Sequence, residues 1–364
     1  MKFDFNEEQQ LVADSVHRFV QQEYGFEARR KIVASAEGWS RDIWAKIAEI
    51  GLLGLPLPTE YGGFGGRAVD LVSVMEAFGD ALLVEPYLST IVAARLVARR
   101  GSEAQKAELL PAVAEGRLVM ALAHHEAGAR YDLAHVDAVA RGTALSGTKR
   151  SVHAPCADKL VVTARDGATV RLFLVDRADA TLHSGVTLDE MRAADVELEN
   201  VEAVPLGEGD AMPAIEEAAD YATALLCAEA VGAMKFANDT TLEYLKTRKQ
   251  FGVPIGAFQA LQHRMVDMVI ECEQARSMAS LACARVDGDI DAAGRARIVS
   301  AAKIKIGDAA RKVSQESVQL HGGMGMSDEL KVSHTFRRLT VIARELGDVD
   351  HHLERFARVS TLAR

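Results

Sequence analysis

The sequence predicts a multidomain α and β protein: an N-terminal helical domain over residues 1–118, a middle β-barrel or sandwich domain over 119–210, and a C-terminal four-helix bundle over 211–364. Three observations predict it. The first stretch alternates helical patterns with short breaks, the next splits into short β-rich runs, and beyond about residue 213 the helical runs become long. A composition of 49% hydrophobic and 26% charged residues over 364 positions is that of a globular chain able to build two or three cores.

In the first zone, Asn6 followed by Gln9 has the pattern of a capping box and opens a helix through Val20. PLPTEYGGFGG, at 56–66, is too rich in Pro and Gly to be helical and is read as a loop. The middle zone consists of LVMALAHH, DAVARGTALSGTKRSVH, DKLVVTARDGATVRLFLVD and AADVELENVEAVPL. Their spacing predicts a small antiparallel barrel or sandwich with no helix interrupting it. In the third zone, Glu216 to Phe251 holds one Gly and no Pro, which at 1.5 Å per residue predicts a rod of about 50 Å. Phe258, Leu261, Met265, Met268 and Cys272 then recur at steps of three and four, an apolar stripe suited to a bundle. Two further helical runs follow, from about Ala292 to Leu320 and from about Asp328 to the C-terminus.

A formal net charge of −10 argues against a nucleic-acid partner, because a polyanion needs a basic face to displace its counterions. MKFDFNEEQQ is acidic and polar, unlike a targeting segment, and no apolar run reaches the ~18 residues of a membrane span. A cytoplasmic location is expected. Cys156, Cys227, Cys272 and Cys283 are scattered without a C-x-x-C pair, which fits a reduced compartment and small core residues. No metal site is expected: His124 and His125 alone read as exposed strand-end histidines, and no third residue completes a set.

Two short stretches stand apart. RKQFG, at 248–252, places two cations and a phenyl ring at the end of the long rod. Helix termination explains the cations, the Gly and the following Pro, but not the Phe. QLHGGMGM, at 319–326, has three glycines in four positions, which either form a tight inter-helix turn or let backbone approach a flat or anionic ligand. No strand precedes it, so it is not a Rossmann fingerprint.

Together, RKQFG, Gln259 and Gln262 in the next helix, QLHGGMG, the order of the three zones and the PLPTEYGGFGG loop resemble the acyl-CoA dehydrogenase family over essentially the whole chain. HHEAGARYDL, YLKTRKQFGVPIGAFQALQHRMVDM and LGDVDHHLERF look most like small subunits of two-subunit members such as pimeloyl-CoA dehydrogenase. The resemblance implies an FAD-dependent oxidoreductase of lipid β-oxidation that desaturates an acyl-CoA, works as a homo- or hetero-tetramer and passes electrons to an electron-transfer flavoprotein. It implies that Arg248 meets the FAD diphosphate and Phe251 packs near the adenosine across a subunit interface. By the same resemblance, Gln319, Gly322 and Gly323 would line the same dinucleotide, and His125 and His153 would stand where the middle domain cradles the flavin.

The same resemblance exposes departures. A carboxylate must remove the α proton while the β hydrogen leaves as hydride, yet the two usual glutamate positions fall on Leu346 and Ala222, with Thr223 following. Glu345 and Asp348 are the nearby acids, and Asp348 is preferred because Gly347 could bend the chain toward the site. HEAGARYD replaces the usual T-E-x-x-x-G-S-D and SVH the usual W-x-T, with Arg130 and Tyr131 where small residues are normal. The motifs that serve a neighbour's FAD are intact and those that serve the chain's own flavin are altered. The expectation is a subunit of a heteromeric enzyme acting on bulky, dicarboxylic or steroid side-chain acyl-CoAs. The alternatives are a self-sufficient homotetramer with Asp348 as base and a non-redox acyl-CoA-binding or lyase-like member.

Overall fold

A computed structural model of the chain describes residues 6–153 and 155–362. Six helices come first: α1 (Glu7–Glu23), α2 (Phe26–Ala34), α3 (Arg41–Glu49), α4 (Val72–Ala81), α5 (Tyr87–Arg100) and α6 (Glu103–Ala114). Eight strands follow: β1 (Met120–Ala123), β2 (Val139–Arg141), β3 (Ala144–His153), β4 (Lys159–Asp166), β5 (Thr169–Asp176), β6 (Thr181–Val186), β7 (Arg192–Glu202) and β8 (Val204–Pro205). Then come α7 (Met212–Thr247), a two-strand hairpin of β9 (Lys249–Gln250) and β10 (Val253–Pro254), and α8 (Gln259–Arg285), α9 (Ala292–His321), α10 (Lys331–Ile342) and α11 (Val349–Leu362).

The chain forms two compact units, one of Met1–Arg29, Ala68–Leu83 and Thr223–Arg364, the other of Arg30–Arg67 and Val84–Ala222. In the first, the capping box forms as the sequence requires: Gln9 N–H donates to Asn6 Oδ1 at 2.8 Å and Asn6 N–H to Gln9 Oε1 at 3.0 Å. α4 and α7 touch backbone to backbone, since a Cβ built on Gly79 would overlap the Glu229 carbonyl and one on Gly232 the Glu76 carbonyl. Along α8, Met265, Met268 and Cys272 are buried as the stripe predicts, while Phe258 sits half exposed just ahead of the first turn.

The fourth bundle segment differs from the expectation of one helix from about Asp328. It is two helices, α10 and α11, because Leu346 adopts a left-handed backbone at φ +59° and Gly347 stands at φ +116°.

In the second unit the strands form a mixed sheet in the order β6-β7-β3-β2-β4-β5-β8, with β1 also on β4. The expected antiparallel pattern holds for β2–β3, β3–β7, β4–β5, β5–β8 and β6–β7. It fails for β1–β4 and β2–β4, which are parallel. Phe173, Val161, Val162 and Val196 are fully buried in this sheet's core.

Candidate functional site

α7 ends at Thr247, one residue before RKQFG, and the motif itself is a hairpin. Lys249 pairs with Pro254 and Gln250 with Val253, so Phe251 and Gly252 are the two loop residues, at φ +54° and +81°. Two left-handed residues make the turn whose twist matches paired strands, and Asn-Gly or Gly-Gly is its usual content. A Phe there is strained, and its ring is 91% exposed, touching Phe258 only edge-on with centroids 6.1 Å apart. Helix termination by a following Gly is therefore not the geometry: the hairpin leaves the phenyl ring exposed at its tip. Arg248 is exposed beside it and enters no ion pair among the described residues.

The glycine stretch starts at the end of α9. Gly322 caps that helix at φ +61° and Gly322–Met326 forms a 3-10 turn. Nothing lies within 4 Å of a Cβ built on Gly322 or Gly323, so the backbone there is open to a ligand, and Gln319 is exposed alongside. Gly325 is buried, and a Cβ would meet Val318 and His321. Tyr244 stacks on His321 at 4.5 Å, which ties the end of α7 to the residue just before Gly322. Burial holds the His321 imidazole below its ordinary pKa, and its Nδ1–H donates to the Ser317 carbonyl at 2.8 Å. An exposed guanidinium, an exposed ring and open glycine backbone fit a dinucleotide with a diphosphate.

Leu346, where the resemblance would put the base, lies in the turn between α10 and α11. Leu346 is 38% exposed there. Glu345 turns the other way, toward Arg338 Nη1 at 3.4 Å, and Arg338 Nε also binds Glu229 Oε1 at 2.6 Å. Asp348 Oδ1 accepts the His351 backbone N–H at 2.9 Å and so caps α11. Gly347 bends the chain, as the sequence suggests, but the bend delivers Asp348 into a cap. Ala222 and Thr223, at the other usual position, are both buried. His352 Nε2–H donates to the Leu346 carbonyl at 3.0 Å and its Nδ1 meets Ser300 Oγ at 3.2 Å. Lys303 Nζ donates to the Ile342 and Gly347 carbonyls, each at 2.8 Å.

In the sheet unit, HEAGARYD forms a loop pinned from beneath. Glu126 and Lys149 form a buried ion pair. Glu126 also accepts the backbone N–H of Asp137 and of Ala138, while Lys149 donates to Thr163 Oγ1 and the His124 carbonyl. His124 is not the exposed strand-end residue expected: its Nδ1 meets Thr163 Oγ1 at 3.1 Å, and burial, with Lys149 nearby, pulls its pKa down to about 4. His125 is exposed, and its carbonyl accepts Arg150 N–H at 2.7 Å. Arg130 is exposed at φ +49°. His153 ends β3, past a bulge at Ser151, whose φ is +50°. Glu126, His135 and Asp137 bring ligand atoms within 4.8 Å of one another. The Lys149 ammonium already occupies the place of a cation beside Glu126, so this cluster is not read as a metal site. An open cleft of about 610 Å³ beside Trp39, Trp44 and Arg117 contains neither His125 nor His153.

Sequence reasoning missed the residues that hold the α10–α11 turn. One signal was present: Lys303 falls on the buried stripe Val299, Ile306, Ala310 and Val313 of α9, where a charge is out of place.

These motifs and folds are those of acyl-CoA dehydrogenases. The pattern described as "Acyl-CoA dehydrogenase, C-terminal domain" matches residues 209–360 and that described as "Acyl-CoA dehydrogenase, N-terminal domain" matches 6–117. The chain is 30% identical to acyl-CoA dehydrogenase IpdE2 of Mycobacterium tuberculosis, over 91% of each protein. Its fold matches the ChsE4–ChsE5 complex from Mycobacterium tuberculosis with a TM-score of 0.90 at 26% identity, covering 99% of each chain. It matches the FAD complex of PigA with a TM-score of 0.90 at 26% identity, covering 100% of each. The chain belongs to the acyl-CoA dehydrogenase family, whose cofactor is FAD.

Proposed function

We propose that this chain is a subunit of an FAD-dependent acyl-CoA dehydrogenase that desaturates an acyl-CoA thioester between Cα and Cβ, and that it completes the FAD site of an unlike partner subunit. Bound FAD supplies the hydride acceptor. Arg248 holds the diphosphate through its planar fork of donors. Phe251 packs on the adenosine half, and Gln319 with the backbone of Gly322 and Gly323 lines the same dinucleotide. His125 and His153 line the flavin cradle of the sheet unit.

The observation that carries this reading is the Phe251 ring, 91% exposed on left-handed backbone that a bulky residue rarely adopts. Leu346 at the usual base position fits the same division of labour, with the α proton taken in the partner's site. The ChsE4–ChsE5 complex, formed by two proteins, supports an unlike pair. The substrate class is a bulky, dicarboxylic or steroid side-chain acyl-CoA, the acceptor an electron-transfer flavoprotein, and the setting the cytoplasm. Among the described residues no helix is long and apolar enough to cross a membrane.

FAD per chain, read from visible absorbance, tests the proposal. The chain purified alone is expected to carry little flavin, and the chain co-expressed with an unlike acyl-CoA dehydrogenase subunit about one FAD per unlike pair. One FAD per chain alone would sink the partner reading. It would favour a self-sufficient homotetramer using Asp348, whose Oδ1 is held in the cap.

A further inference from the structure

Lys303 is 1% exposed, inside a stripe of apolar residues on α9. A buried ammonium is costly, and an apolar side chain of its length would fill the same space. What an apolar side chain cannot do is donate. Ile342 is the last residue of α10, so its carbonyl lacks an intrahelical partner, and Gly347 lies across the turn. Lys303 takes both carbonyls, at 2.8 Å each, and so clasps the two ends of the turn. His352 takes the Leu346 carbonyl between them and Arg338 takes the Glu345 carboxylate. None of these bonds uses the side chain of residue 346.

We propose that Lys303 is a positioning residue that closes the Ile342–Gly347 turn, and so fixes where the side chain of residue 346 is presented. The proposal rests on the reading that this turn borders the acyl site. Four titratable groups face the amine: Cys227 of α7, Glu345 and Asp348 of the turn, and His352 of α11. The Cys227 thiol is pushed up to about 12 by burial and is neutral. Burial outweighs the two carboxylates and lowers the amine to about 8. Opening the turn hydrates the amine and returns it toward 10.5. The open state therefore binds the proton more tightly than the closed one, and opening becomes harder as pH rises above about 8. A neutral amine still has two N–H groups for the two carbonyls.

The test is hydrogen exchange of peptides spanning residues 343–350 in the intact protein, from pH 6.5 to 9.5, normalised to intrinsic exchange. Wild-type protection is expected to be flat below pH 8 and to rise about tenfold above it, the limit being tenfold per pH unit for one linked proton. Lys303→Met is expected to lose at least tenfold protection in these peptides at pH 7 and to show no pH step, while α8 keeps its protection. A flat or falling wild-type profile overturns the proposal and needs no variant to fold. A Lys303→Met turn as protected as wild type overturns it as well. Affinity of the assembled enzyme for pimeloyl-CoA, a dicarboxylic acyl-CoA, separates the two readings: if the turn loosens in Lys303→Met and affinity is unchanged, the clasp stands and the placing of the turn at the acyl site fails.

Discussion

Tyr244 stacks on His321 with ring centroids 4.5 Å apart and 28° between planes, so the helix leading into the RKQFG hairpin is joined to the helix leading into the glycine turn. Tyr244 lies four residues before Arg248 and His321 one before Gly322, both proposed to meet the cofactor. Tyr244→Ala is expected to lower unfolding free energy by about 2 kcal/mol, from lost burial and ring contact. Urea unfolding checks the value, and FAD retention in the assembled enzyme is expected to fall with it.

Phe251→Gly should leave the stability of the isolated chain almost unchanged. Glycine accepts φ +54° freely, and removing an exposed phenyl ring loses little packing, so stability is expected to stay within about 1 kcal/mol of wild type. FAD binding by the assembly is expected to drop. The same urea series, with flavin absorbance of the co-purified complex, separates the two effects.

The Glu126–Lys149 pair is buried and its polar atoms are engaged, so removing one partner strands the other. Lys149→Met is expected to cost about 3–5 kcal/mol. Loss should spread to the loop that carries His125, seen as increased hydrogen exchange across residues 124–138.

Acid should unfold the protein through its neutral histidines. His352 is held near pKa 3, first by burial and then by Lys303, and His124 near 4, first by burial and then by Lys149. Unfolding returns each toward 6.5, so below that pH the unfolded chain binds more protons. Stability is whole above pH 6.5 and falls by up to ~1.4 kcal/mol per pH unit per histidine on the way down. Urea midpoints at pH 7, 6 and 5 test this, and His352→Asn should make the slope shallower.

Gly232→Ala is expected to cost about 3 kcal/mol or to prevent folding, because the new Cβ has no room beside the Glu76 carbonyl. Thermal melting of the variant beside Gly62→Ala provides a control for glycine chemistry, since at Gly62 a Cβ meets nothing within 4 Å and only the left-handed backbone resists.

What local chemistry dictates was legible in the chain. The Asn6–Gln9 box and the span of α9 follow from side-chain spacing alone. β6 was missed because TLHSGV is almost wholly exposed and shows no apolar alternation. The parallel pairing of β1 with β4 joins residues far apart in sequence and leaves no local trace. At the candidate site the motifs proposed to face the cofactor were readable, since RKQFG and HGG are each one unbroken stretch of sequence. The clasp was not, because Lys303, Ile342, Gly347 and His352 meet only through tertiary packing. The break between α10 and α11 was hidden for the same reason, as Leu346 has no intrinsic preference for its left-handed backbone.

The turn at Leu346 therefore separates the placement of a backbone from the choice of the side chain it carries. Its backbone is held by neighbours that do not consult the side chain at 346, so that side chain can be exchanged while the turn stays in place. A carboxylate at 346 would therefore need one substitution, with no rebuilding of the chain around it.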